Sequence, residues 1–151
     1  MLTESNAILG YIAEGTAYLP TDPWERAQVS RWMYFEEDFV QNGLASLRYW
    51  TMTGKLARRS AEMIAGKQAV SRKTLNILDT WLGDRPFLTG SRYTIADMSL
   101  FAYVSRADEA GLPLAGYRAV SSWVARVRAQ DGFLDTVYAY SIDPSSGSEL
   151  P

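Results

Sequence analysis

The sequence predicts an all-α protein folded as one helical bundle, and three observations carry that expectation. Apolar residues recur at helical spacing through most of the chain, and the breaks between those stretches hold helix-start and helix-stop residues. No pair of alternating segments is joined by a turn of hairpin chemistry. With 151 residues, 47% of them hydrophobic and 13% aromatic, the chain is long and apolar enough for one continuous core.

The first helix is expected over residues 5–15, with Ser5 as N-cap, Ile8, Leu9 and Ile12 at helical spacing, and Gly15 beyond its end. The next start signal is sharper. Asp22-Pro23-Trp24-Glu25 sets a capping residue before a proline at the first helical position and an acidic residue in the first turn. No proline follows until after Trp50, so the longest helix should run from Pro23 to about Trp50, roughly 40 Å at 1.5 Å per residue.

At ~100° per residue that helix gathers Trp32, Met33, Phe35, Phe39, Val40, Leu44 and Leu47 on one arc, with Arg31, Glu37, Asp38, Gln41 and Asn42 opposite. Glu36 falls inside the apolar arc. A carboxylate there must find a partner or shift its pKa, so an ion pair with an arginine is expected, with a role at a subunit interface or an active site as the alternative.

After Thr53-Gly54 a further helix should start near 56–59 and reach Leu82, with Ile64, Leu75, Leu78 and Leu82 inward. Residues 84–93 read as a loop whose Phe87 and Leu88 tuck under the bundle. Thr94-Ile95-Ala96-Asp97 fits a capping box, flanked by Tyr93 and Met98 as a hydrophobic staple, and Asp97 is assigned to structure on that ground. Met98 to Val104 is apolar nearly all round, the pattern of a helix buried on every side. A last helix carries Trp123, Val124 and Val127, a short segment follows around 133–138, and residues 141–151, rich in Ser, Gly and Pro, read as a disordered tail.

The residue inventory excludes several functions. Without cysteine or histidine there is no thiolate nucleophile, no imidazole acid or base, and no Cys- or His-ligated metal, so no metal site is expected. A formal charge of −2 gives no general field for nucleic acid. No run approaches the ~20 apolar residues of a membrane span, and the expected location is the cytoplasm.

Three patches, in order along the chain, resemble the glutathione transferase family. Glu4-Ser5-Asn6-Ala7-Ile8-Leu9 with Tyr11 is similar to the motif that closes the family's thioredoxin-like domain. Trp32-Met33-Tyr34-Phe35-Glu36 with Arg48-Tyr49-Trp50 resembles patches on the first long helix of bacterial members. Arg85-Pro86-Phe87-Leu88-Thr89-Gly90 leading into Tyr93-Thr94-Ile95-Ala96-Asp97 resembles the entry to the central helix.

The resemblance implies that residues 1–4 are the remnant of a thioredoxin-like domain, 5–140 the C-terminal helical domain and 141–151 the tail. It implies a complete protein that conjugates glutathione, its co-substrate, to a small, largely apolar electrophile, and that forms a homodimer. No residue of this chain takes the family's catalytic position, so the chain alone is expected to be inactive. Glu4 and Ser5 are then the glutathione-binding candidates: Ser5 with the helix-start N–H groups for the γ-glutamyl carboxylate, Glu4 for its ammonium. A plain capping role for Ser5 is the alternative. Tyr34, Val40 and Leu44 on the long helix are candidates for the hydrophobic-substrate pocket. A stand-alone helical interaction or assembly module is the competing reading of the whole chain.

Overall fold

The computed structural model describes residues 1–134, and the expected tail at 141–151 lies outside them. Among the described residues six α-helices form the bundle: α1 (Ser5–Ile12), α2 (Pro23–Phe35), α3 (Ser46–Met52), α4 (Ala61–Trp81), α5 (Ile95–Val104) and α6 (Arg118–Arg128). A π-helical segment, Glu36–Ala45, joins α2 to α3 without a break, and short 3₁₀ turns occupy Lys55–Arg58, Ala107–Ala110 and Leu114–Gly116.

The start signal at Asp22 works as its chemistry requires: its carboxylate accepts the Glu25 N–H at 2.9 Å and Pro23 opens the helix. The long helix is continuous from Pro23 to Met52, but it is not a uniform α-helix. Its π segment lies against α4, where Gly43 faces Ser71 so closely that a Cβ at Gly43 would stand 2.6 Å from the Ser71 hydroxyl oxygen. At the exit from the π segment the Ser46 hydroxyl donates to the Gln41 carbonyl at 3.0 Å.

The following helix begins later than the apolar pattern suggests. Ser60 caps α4 by accepting the Met63 N–H at 3.2 Å, and residues 55–58 form a separate 3₁₀ turn before it. Leu75, Leu78 and Leu82 are buried and Ile64 half-buried. Phe87 and Leu88 do tuck inward, held by the Trp81 indole N–H donating to the Leu88 carbonyl at 2.9 Å.

The core closes around α5 and α6 through Ile95, Leu100, Val104, Val120, Trp123 and Val127. The expected capping box is present at Thr94 and Asp97. Asp97 does more than cap α5. One carboxylate oxygen accepts the Thr94 N–H at 3.0 Å and its hydroxyl at 3.4 Å; the other accepts the Leu88 N–H and the Trp123 indole N–H, both at 2.9 Å. Burial raises the Asp97 pKa, and these four donors pull it back toward the ionised form.

The expectation that α5 is buried on every side needs correction. Ala102 is exposed and Met98, Phe101 and Tyr103 are only half-buried, so one face of α5 stays open beside α1.

Candidate functional site

The chain enters α1 through an unusual backbone conformation. Glu4 has φ 66 and ψ 118, and it is the one described residue other than glycine with a positive φ. Such a conformation costs an L-residue ~1 kcal/mol or more and survives where surrounding contacts or function require it. It makes Glu4, not Ser5, the N-cap; Ser5 is the first helical residue. No side chain caps α1, so its opening N–H groups are left to solvent or to a ligand.

Two clefts flank α1. The one against α2, about 600 Å³, has Leu19, Val29 and Ile95 among its apolar lining and takes Glu4, Tyr11, Tyr34 and Glu37 from its polar and aromatic rim. An ion pair between Arg26 and Glu14, at 2.8 Å, closes one side. The one against α5, about 310 Å³, takes Ser5, Ile8 and Ile12 from α1 with Glu36, Ser99 and Tyr103 from the bundle. Glu4 lines the first of these clefts and Ser5 the second, side by side at the N-terminal end of α1.

Asn6 ties this helix down. Its amide donates to the Met33 carbonyl at 3.3 Å, to Glu36 Oε2 at 3.0 Å and to Glu37 Oε1 at 3.0 Å, while its carbonyl oxygen accepts the Ser99 hydroxyl at 2.7 Å. Glu36 is thus buried against an amide, and the expected arginine partner is absent from it. Its Oε1 is buried with no hydrogen-bond partner. Burial chiefly raises its pKa, to about 7; the Asn6 bond opposes the rise and the neighbouring Glu37 charge adds to it.

Of the pocket candidates on the long helix, Val40 and Leu44 are fully buried core residues and line neither cleft. The π segment that carries them packs against α4 and α5. Tyr34 is exposed on the rim of the α1–α2 cleft. The face of the same helix that does open to a cleft carries Gln41, Ala45 and Tyr49, opposite Tyr103 of α5, around a space of about 340 Å³. A further cleft, about 730 Å³, lies away from α1 on the outer face of α4.

Asn6 and Ser99 are the site residues that pattern reasoning missed. They stand 93 positions apart, and neither carries a local signal of its role. Among the described residues no group of His, Cys, Asp or Glu could hold a metal ion, and no helix is long and apolar enough to cross a membrane.

Comparison with known proteins matches residues 61–126 to the family described as Glutathione S-transferase, C-terminal domain. A glutathione S-transferase of Arabidopsis thaliana is 31% identical over 149 residues, covering 90% of this chain and 58% of the relative. The disulfide-bond oxidoreductase YfcG of Escherichia coli (strain K12) is 28% identical over 130 residues, covering 85% of this chain and 60% of the relative. A crystal structure of a glutathione S-transferase from Xanthobacter autotrophicus Py2 superposes with a TM-score of 0.84 at 38% identity, covering 88% of this chain and 65% of that one. The chain thus spans roughly three fifths of the length of these relatives. The order of the helices, the capped entry to α5 and these matches together place the chain in the glutathione S-transferase family, as its C-terminal helical domain.

Proposed function

We propose that this chain supplies the helical half of a cytoplasmic glutathione transferase, and that Glu4 and Ser5 hold the γ-glutamyl end of glutathione. The strained backbone at Glu4, directly before an uncapped helix start, is the observation that carries this reading. A γ-glutamyl group presents one carboxylate and one ammonium. Ser5 and the first N–H groups of α1 suit the carboxylate, and the Glu4 carboxylate suits the ammonium. Both side chains are exposed and available.

Conjugation also requires the glutathione thiol as its anion, and a thiol of pKa ≈ 8.5 needs a group that stabilises the thiolate at neutral pH. In this reading that group belongs to a thioredoxin-like domain, of which residues 1–4 are the last part, and the chain by itself binds without turnover. The electrophile is small and uses the space beside the long helix. Since Val40 and Leu44 are core, the positions that can touch it are Gln41, Ala45 and Tyr49 with Tyr103, and Tyr34 stays a candidate on the other cleft. The apolar side chains of Met1, Leu2, Ile8, Tyr11 and Ile12 are exposed around α1, which supports docking of a further domain there and association into a homodimer.

Calorimetric titration of glutathione into the chain, with a Glu4→Ala, Ser5→Ala double variant as control and a conjugation assay in parallel, tests the reading. Weak binding that disappears in the variant, without turnover, is expected. Binding that is indifferent to both substitutions overturns the assignment of these residues, and turnover by the chain alone overturns the division of labour between two domains.

A further inference from the structure

Remote from α1, a cleft of about 560 Å³ lies where the α4–α5 loop meets the start of α6. Three arginines line it: Arg85 from the loop, and Arg118 and Arg126 from α6. Asp84 is the one acidic residue in that lining, so the cleft carries a formal charge of +2 in a chain whose total is −2. Like charges gathered in one concavity repel, and the arrangement is favourable when an anion sits among them.

Two of the three guanidinium groups are held in place by contacts to the backbone. Arg85 donates to the Trp81 carbonyl at 2.8 Å and stacks on the Trp81 ring at 4.2 Å from its centroid; Arg126 donates to the Pro86 carbonyl at 2.7 Å. Each backbone oxygen takes part of a five-donor fork and leaves the rest for a ligand. Arg118 has no hydrogen bond or ion pair among the described residues and is exposed at the first position of α6, whose next two N–H groups are taken by the Asp79 carboxylate. The Asp84 carboxylate, 2.6 Å from Arg85, is mostly exposed and takes a further donor of that guanidinium.

The geometry points to a binding site for a phosphomonoester dianion in this cleft, held by Arg85, Arg118 and Arg126. A carboxylate offers two oxygens and one charge, too few for three forks. A phosphomonoester offers three terminal oxygens and a charge near −2, which matches both the donor number and the cleft's formal charge. Arginine suits this better than lysine because its planar fork binds such oxygens in pairs. The phosphoryl group can arrive on a small molecule or on a phosphorylated protein segment.

Amide chemical-shift titration of the isotope-labelled chain tests the site, with inorganic phosphate and a short phosphoserine peptide as probes. Potassium chloride at matched ionic strength and the unphosphorylated peptide are the controls. Saturable shifts at Arg118, Ala119 and Ser122 are expected with phosphate. Arg118→Gln, which breaks no contact of the fold, should weaken binding about tenfold, the equivalent of one charge-assisted hydrogen bond. Asp84→Asn, which removes the competing carboxylate, should tighten it. A phosphopeptide that binds more strongly than phosphate assigns the site to a protein-borne group, and equal or weaker binding assigns it to a small ligand. Shifts that follow chloride equally, or that are unchanged in Arg118→Gln while the rest of the spectrum is intact, overturn the proposal.

Discussion

Replacing Glu36 by glutamine should make the protein more stable at neutral and alkaline pH, although the substitution removes a buried hydrogen-bonding group's charge. Glu36 is 1% exposed, and its carboxyl, ordinarily at 4.5, titrates in the folded state at about 7. A folded pKa above the unfolded one means that the native state binds the proton more tightly. The group's contribution is therefore fully present below pH 4.5 and is lost as pH rises through 7. At 1.36 kcal/mol for each tenfold, ionising it fully in place costs roughly 3 kcal/mol. Little of this is screened away, because the side chain is buried. Glutamine keeps the acceptor for Asn6 and cannot ionise. Urea unfolding of both proteins from pH 4.5 to 8.5 gives the difference directly. The two should be of similar stability at the acid end, and the variant should lead by roughly 3 kcal/mol at the alkaline end, an advantage that opens between pH 5 and 8. Parallel curves across that window would refute the claim that burial, rather than a hidden cation, governs this carboxyl.

Four further outcomes follow from single contacts. Glu4→Gly should stabilise the fold by about 1 kcal/mol by relieving the positive φ, and it should weaken glutathione binding, as thermal melts and calorimetry would show. Asp97→Ala strands the Leu88 and Trp123 donors and should cost about 3 kcal/mol or more in chemical denaturation. Gly43→Ala pushes a methyl group into Ser71 and should cost about 1–3 kcal/mol, partly recovered by a second change, Ser71→Gly, that removes the hydroxyl. Asp79→Ala removes the acceptor for the Ala119 and Val120 N–H groups, at 2.8 and 3.0 Å, and should cost about 1 kcal/mol while fraying the start of α6 in hydrogen exchange.

The fold was legible where the chain speaks locally. Asp22-Pro23 and Thr94-Asp97 start helices by contacts within four residues, so their chemistry is written in the residues themselves. The start of α6 is the opposite case. No capping side chain precedes it, and its N–H groups are satisfied by Asp79, 40 positions upstream on α4. No window along the chain shows that pairing. The two α1 clefts were half legible: Glu4-Ser5 is a recognisable motif, whereas the Asn6 contacts that fix it span 27 to 93 positions.

The long helix shows how a correct element can still mislead about a site. Its apolar residues were read at a constant 100° per residue, which assumes hydrogen bonds from i to i−4 throughout. From Glu36 to Ala45 the helix is wound as a π-helix, with more residues in each turn. Val40 and Leu44 are nonetheless buried, as the projected arc requires, and what fails is the pocket role that the resemblance implied for them. Phe39, read as inward, is 36% exposed and stacked on Phe35, while Glu36, Val40, Leu44 and Leu47 form the buried stripe. The same winding brings Glu36 beneath Asn6 and Gly43 against Ser71. π segments recur at functional sites, and here the one such segment among the described residues begins at the carboxyl with the orphaned oxygen and contributes Gln41 and Ala45 to the cleft shared with Tyr103. The wide turns absorb residues that an α-helix spanning the same angle would not hold, so deleting one from the exposed side, Asp38, should tighten the winding toward α while Leu44 and Leu47 stay inward. The deletion variant should therefore fold and reshape the cleft rather than unfold the chain. A variant that fails to fold would show that the packing around α4 requires the π winding.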